Sequence, residues 1–331
     1  MSDIEFRHAI RDALDEELER DERVIFFGED VAAAGGVFAV TPGLMDKYGD
    51  RVFDTAISEL ALAGAGFGSA ITGMRPVVEI MFGDFLPLVM DSLINQSSKY
   101  WYISNEQASV PVTFRSIVGA GGRFGAIHSQ MPATWLEGVT GIKIVAPSTP
   151  EDAAGLLKAA IRDDNPVLVF EHKRLYSMKG PRTSSDPIPI GQAKVVREGA
   201  DITIVAAMKG VHDSLAAAAA LAEDGIDAEI IDLRTLRPID WETIRSSVEK
   251  TNRLLVVEEG PKTGGWAGEI LALAVEESLE ELDDAWRLTT PDRPVPYSPP
   301  LEDAFLPGAE AIAGSIRARL TAPDRLPAFS V

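Results

Sequence analysis

The sequence predicts an α/β fold, a parallel sheet covered by helices on both faces, followed by a second and smaller α/β unit. Three observations carry that prediction. Short apolar runs such as Val24-Ile25-Phe26-Phe27 and Pro166-Val167-Leu168-Val169-Phe170 are bounded by glycine or charge and read as buried strands. Segments of helical period fall between them, and strands alternating with helices imply a parallel sheet. Lys179 to Gly191 holds three prolines, two glycines and two serines in 13 residues without periodicity, and the alternation restarts after it. This stretch reads as the linker, dividing the chain into domains 1–185 and 186–331.

The elements follow in order. Phe6, Ile10, Leu14 and Leu18 recur every four residues among acids, a helix with one buried stripe. Val24 to Phe27, stopped by Gly28, is the first buried strand. Pro76 to Ile80 predicts a strand, Phe85 to Tyr100 a helix, and Val112 to Phe114 and Ile142 to Val145 two further strands. Thr149-Pro150-Glu151-Asp152 opens a helix with a threonine cap, proline in first position and acids in the first turn. That helix ends near Arg162, before the strand Pro166 to Phe170. Beyond the linker come strand Ile202 to Ala206, helix Val211 to Glu223, strand Ala228 to Leu233, helix Trp241 to Glu249, strand Leu254 to Val257 and helix Ala267 to Leu279. Pro291 to Pro307 carries six prolines and predicts an extended arm on the surface or on a partner.

Composition excludes several classes. Against 31 basic residues stand 51 acidic ones, a net charge of −20 that repels phosphate backbones and anionic lipid. No nucleic-acid or membrane partner is expected. The chain is 46% hydrophobic and 25% charged, as globular proteins are. Without cysteine it has no disulfides, thiolate nucleophiles or thiolate-bound metals. The purest apolar run, Leu215 to Ala222, spans eight residues, far short of a membrane helix. The acidic start, Met1 to Glu5, carries no secretory pattern, so a cytoplasmic protein is expected. There is no Walker loop, no nucleophile elbow and no metal-ligand spacing among the four histidines. Gly119, Gly121, Gly122 and Gly125 form a glycine-rich loop, but not with dinucleotide-binding spacing.

Three local features remain. Gly28-Glu29-Asp30 puts two acids at the carboxyl end of a buried strand, where α/β sheets bind ligands and where acids also cap turns. Asp54-Thr55-Ala56-Ile57-Ser58-Glu59 leads into the small, apolar stretch Leu60 to Ala70. A glutamate opening so apolar a helix is either a dipole partner or a desolvated acid with a raised pKa. His128-Ser129-Gln130 follows the glycine-rich loop, and a histidine there is either a surface residue or a proton carrier.

Taken in order, these pieces resemble the β chain of the E1 component of 2-oxo acid dehydrogenase complexes, which are thiamine-diphosphate-dependent decarboxylases. The resemblance spans essentially the whole chain. Its marks are Phe27-Gly28-Glu29-Asp30-Val31, Gly35-Gly36-Val37-Phe38, Asp54 to Glu59, Glu79 to Phe85, His128-Ser129-Gln130, Ile161 to Pro166 and Asp232 to Pro238.

The resemblance implies a pyrimidine-binding α/β domain followed by a transketolase-type C-terminal domain. It gives Glu59 the role of the glutamate that hydrogen-bonds the aminopyrimidine of thiamine diphosphate, with Glu29 supporting it. Phe85 would pack on that ring, with Ile57 and Met81 lining the same slot. His128 would face the substrate and assist acyl transfer to a lipoyl arm. Backbone carbonyls near Val112, Ala160, Asp163 and Asn165 would form a monovalent-cation site, suited to K⁺. The Gly-Asp-Gly that holds Mg²⁺ and diphosphate is missing, because Gly49-Asp50 is followed by Arg51 and Gly83-Asp84 by Phe85. The resemblance therefore implies half an active site, completed by an α subunit in an α₂β₂ heterotetramer, with a β–β contact through Gly64 to Ala70. It also implies docking of the C-terminal domain on a lipoyl acyltransferase, E2, where an acidic face would meet a basic partner.

The family usually has proline at the position of Ala56, and the loop Gly119 to Gly125 with Arg123 points to no one substrate. Pyruvate, a branched-chain 2-oxo acid and acetoin all stay open. So do a split transketolase-like carboligase and a non-catalytic assembly subunit, although a scaffold needs neither Glu59 nor His128.

Overall fold

The computed structural model describes residues 3–320. The first sheet has seven strands, in the order Thr235–Arg237, Lys143–Val145, Val167–His172, Thr113–Val118, Arg75–Phe82, Val24–Gly28 and Val52–Asp54. All neighbours run parallel except the edge strand Thr235–Arg237, which comes from the second half of the chain and lies antiparallel to Lys143–Val145. Thr113–Val118 and Val167–His172 are buried at every position, as strands covered on both faces must be. The second sheet runs Asp284–Thr290, Arg253–Pro261, Ile202–Ala206, Ala228–Asp232 and Lys194–Arg197, the last antiparallel.

Helices pack on these sheets with the faces their sequences dictate. Phe6–Arg20 buries Phe6, Ile10, Leu14 and Leu18 and lies along Pro150–Arg162, where Arg162 pairs with Glu17 at 2.6 Å. Thr149 caps the second of these helices by accepting the Asp152 N–H at 3.1 Å. Glu59–Ile71 presents two different faces. A Cβ on Gly66 would stand 2.6 Å from Val78 Cγ2, so glycine lets this helix press onto the strand beneath. Gly64 and Gly68 meet nothing, and that side is bare.

Two expectations are corrected. Phe85 to Tyr100 is not one helix: a 3₁₀ turn spans Gly83–Val89, a π-turn Ser92–Ser97 and a short α-helix Tyr100–Ile103. Pro87 has no N–H to give to an α-helical ladder, which breaks the first part. The proline-rich arm is not extended throughout either. Pro299–Phe305 is a helix, because Pro299 and Pro300 fall in its first turn, where no N–H is needed, and it buries Glu302. The linker, for its part, lies down on the first unit. Lys179–Gly180 pairs with Ile4–Glu5, and Ile188 fills the groove above Gly155, to whose carbonyl its N–H donates at 3.0 Å.

The two units are locked by polar contacts. His212 Nε2 lies 2.7 Å from the Ser148 carbonyl, Ser148 donates to Asp232 at 2.9 Å and Arg234 pairs with Asp152 at 2.6 Å. No helix among the described residues is long and apolar enough to cross a membrane.

Candidate active site

The candidate residues lie on segments that leave the first sheet at the carboxyl ends of its parallel strands, the place where open α/β sheets bind ligands. Two of these segments meet around Glu29 and Glu59. Asp54 accepts the N–H groups of Ala32 and Ala33 at 2.7 and 3.2 Å, and Thr55 donates to the Gly28 carbonyl at 2.9 Å. These bonds hold the loop after Val24–Gly28 against the segment that opens the helix Glu59–Ile71.

The result is a pair of acids facing one another. Glu59 is the first helical residue and is 9% exposed, while Glu29 is 6% exposed. Burial raises the pKa of Glu29, and the neighbouring Glu59 and Asp30 push the same way against one backbone hydrogen bond from Ser58. Its Oε1 is buried without a partner. Beside this pair the apolar surface is bare, with Ile57 85% and Leu60 58% exposed. Two buried acids that meet no cation among the described residues, under an exposed apolar shelf, form a surface that a polar and aromatic ligand would complete.

The other predicted aromatic and imidazole groups form a second cluster at the carboxyl edge of the same sheet. Phe85 stands edge-on to Phe82 at 5.7 Å and to the His128 ring at 5.4 Å, and Phe82 reaches His128 at 4.9 Å. Met81 lies half-buried at the end of the same strand, Arg75–Phe82. The loop carrying His128 is held from below. Asp84 accepts the Gln130 N–H and Nε2 at 3.2 and 2.9 Å, and Lys173 donates to the His128 carbonyl.

Acids of the second unit clamp the glycine-rich loop. Glu259 accepts the Ala120 N–H at 2.6 Å and lies 2.8 Å from His172 Nε2. Glu302 accepts the Gly121 N–H at 2.8 Å and pairs with Arg123 at 2.7 Å, while Asp303 takes the other side of that guanidinium at 2.8 Å. Partial burial pushes Glu259 up, but His172 and the Ala120 N–H hold its carboxyl below the usual range.

Sequence reasoning missed Asp84, Lys173, Glu259 and Glu302. A signal existed for Asp84: a glycine then an acid at the end of a buried strand, as in Gly28-Glu29. Lys173 sits in the corresponding place after Val167–His172. The two glutamates carry no local mark.

Val112, Ala160, Asp163 and Asn165 surround the C-terminal end of the helix Pro150–Arg162, far along the fold from the acid pair. Val112 accepts from the Val167 N–H at 3.0 Å, and the Asp163 carboxylate takes the Asn165 N–H and Nδ2 at 2.9 and 3.0 Å. Two protein cations already stand there. Arg75 donates to the carbonyls of Ile161 and Asp163 at 3.1 and 3.0 Å, and Lys143 pairs with the Asp163 carboxylate. Burial pushes Asp163 up, but these hydrogen bonds hold it below the ordinary range.

Comparison with known proteins identifies the family. Residues 2–179 match the transketolase pyrimidine-binding domain and residues 191–312 the transketolase C-terminal domain. The chain is 44% identical over 321 residues to the β subunit of acetoin:2,6-dichlorophenolindophenol oxidoreductase from Cupriavidus necator, covering 93% of this chain and 95% of the relative. It is 44% identical to the mitochondrial pyruvate dehydrogenase E1 β subunit of Dictyostelium discoideum, with 95% of this chain and 90% of that one covered. Against the 2-oxoisovalerate dehydrogenase β subunit of Bacillus subtilis it is 43% identical, with 96% and 98% covered. The fold is also that of a split-gene transketolase solved as an inactive β₄ tetramer, with a TM-score of 0.81 over 96% of this chain and 99% of that one, at 21% identity. The chain therefore belongs to the E1 β subunits of the 2-oxo acid and acetoin dehydrogenases, built from a transketolase pyrimidine-binding domain and a transketolase C-terminal domain.

Proposed function

We propose that this chain is the β half of a thiamine-diphosphate-dependent dehydrogenase, active as an α₂β₂ heterotetramer in the cytoplasm. It would decarboxylate a branched-chain 2-oxo acid or pyruvate and pass the acyl group to a lipoyl acyltransferase, E2, docked on the C-terminal domain. The observation that carries the reading is the Glu29–Glu59 pair, buried without a cation beside the bare Ile57 and Leu60. An aminopyrimidine supplies the donors such a pair lacks, and its ring suits the apolar shelf.

Thiamine diphosphate, when bound, supplies a nucleophilic carbon and the electron sink for decarboxylation. The residues of this chain do the rest. Glu59 holds and returns a proton at the pyrimidine nitrogen, and Glu29 supports it from beside. Phe85, Met81 and Ile57 shape the slot for the ring, and His128 faces the reacting end to assist acyl transfer. The α subunit contributes the sites for Mg²⁺ and diphosphate. Backbone carbonyls near Val112, Ala160, Asp163 and Asn165 would hold a monovalent cation, K⁺, beside Arg75.

A second reading, the acetoin-cleaving dehydrogenase, stands level with it, because the 44% identity to the Cupriavidus necator subunit equals that to the Dictyostelium discoideum pyruvate dehydrogenase subunit. Co-expression with the α chain, followed by thiamine-diphosphate-dependent dye reduction, decides between them. Turnover is expected with a 2-oxo acid; turnover with acetoin alone establishes the second reading. If the cofactor binds and all three substrates stay silent, a carboligase replaces both. If no cofactor binds, the chain is an assembly subunit. In the active enzyme, His128→Ala is expected to impair transfer to lipoamide, and unaltered transfer removes that role.

A further inference from the structure

We infer that Lys173 is a positioning residue for His128: it ties the loop carrying the imidazole to the end of the strand Val167–His172 and so fixes where that imidazole stands during acyl transfer. This rests on the role proposed above for His128 and names a residue which that reading leaves out.

The contacts converge on one histidine. Lys173 Nζ donates to the His128 backbone carbonyl. The same ammonium lies over the rings of Phe82 and Phe124, 5.4 and 5.1 Å from their centroids. Phe82 in turn meets the imidazole edge-on at 4.9 Å. One cation thus grips the main chain of His128 directly and its side chain through a shared ring. Asp84 holds Gln130 two residues on, so the loop is pinned between a cation and a carboxylate.

The surroundings explain why the cation is a lysine that can lose its charge. Asp84 faces it from the turn Gly83–Val89, Glu259 from the strand Arg253–Pro261 and Glu302 from the helix Pro299–Phe305. Glu259 is shared with His172 and Glu302 with Arg123, and Asp84 Oδ2 is buried without a partner. Burial outweighs these three acids and lowers the Lys173 pKa to about 8. The ammonium is present below that pH and fades above it, whereas a guanidinium stays charged throughout.

The test uses the α₂β₂ holoenzyme and two rates at each pH, dye reduction and acyl transfer to free lipoamide, taken as a ratio so that earlier steps cancel. Lys173→Met is expected to lower the transfer-to-dye ratio about 10- to 100-fold, as a small displacement of a reacting group does. Lys173→Arg should keep most of the ratio and move its alkaline decline, near pH 8 in the unsubstituted enzyme, to higher pH. An unchanged ratio in Lys173→Met, or a decline at the same pH in Lys173→Arg, overturns the inference. His128→Ala run in parallel separates the two readings. If it leaves the ratio intact, the role of His128 itself fails; if it collapses the ratio while Lys173→Met does not, Lys173 alone is dismissed. Should Lys173→Met fail to assemble, the pH profile of Lys173→Arg decides by itself.

Discussion

The first sheet buries two pairs of glutamates and treats them in opposite ways. Glu79 and Glu171 lie deep in the sheet with Arg115 between them, at 2.6 Å from the first and 2.7 and 2.8 Å from the second, and Tyr176 adds a hydrogen bond to Glu171 at 2.8 Å. Burial pushes Glu79 up, but the guanidinium opposes it, and both acids hold Arg115 firmly charged. Glu29 and Glu59, at the carboxyl edge of the same sheet, have no such cation, and one oxygen of Glu29 has no partner at all. Charge is neutralised inside the chain for the first pair and left uncompensated in the second, and that difference is what sets the Glu29–Glu59 pair apart.

The largest effect is expected when the first pair is made to resemble the second. Arg115→Met leaves two carboxylates buried without a cation, at a cost of about 3–5 kcal/mol. A drop of about 10 °C in melting temperature is expected, with loss of soluble yield. Replacing Glu79 and Glu171 by glutamine in the same chain should recover most of it. An Arg115→Met protein as stable as the parent would show that the triad is not what compensates these acids.

The converse change comes next. Glu59→Gln removes a charge from the uncompensated pair, so the fold should hold, with a melting temperature within about 2 °C of the parent. Turnover of the α₂β₂ enzyme should nevertheless fall by about 10²–10⁴, the range for losing a proton-transfer group. Normal turnover would remove Glu59 from the cofactor site, and a melt as low as that of Arg115→Met would make it a structural acid.

How much of this was legible in the sequence follows from how local each signal is. Strands buried on both faces leave apolar runs, so Val24 to Phe27 and Pro166 to Phe170 were readable at once. Glu59 was readable because an acid at the mouth of so apolar a helix is conspicuous. The edge strand Thr235–Arg237 was not, since its partner Lys143–Val145 lies far back in the chain. The same holds for the clamps: Lys173 and His128 are 45 residues apart, and Gly121 and Glu302 are 181 apart. No period or spacing records such contacts. The helix Pro299–Phe305 was hidden for another reason, as its prolines suit a first helical turn as well as an extended arm.

A third acid tests whether an uncompensated carboxyl must await a ligand. Glu137 lines a cleft of about 1010 Å³ between the two units, with Trp241, Trp266, Arg237 and Glu269. Burial raises its pKa to about 8, Glu258 and Glu269 push the same way, and Arg237 opposes them weakly. Glu258 is raised to about 7, chiefly by burial. Such an acid meets its surroundings by keeping its proton. A raised folded-state pKa contributes stability that is complete below the unfolded value near 4.5 and is lost as pH climbs through about 8. Melting temperature should therefore fall between about pH 4.5 and 8, and Glu137→Gln should flatten that fall, by about 1–3 °C over the interval from pH 7 to 8 where Glu258 no longer contributes. A parallel pair of melting curves across that range would mean that Glu137 titrates normally. The contrast would then reduce to its two extremes, acids answered by an arginine and acids with no cation beside them among the described residues.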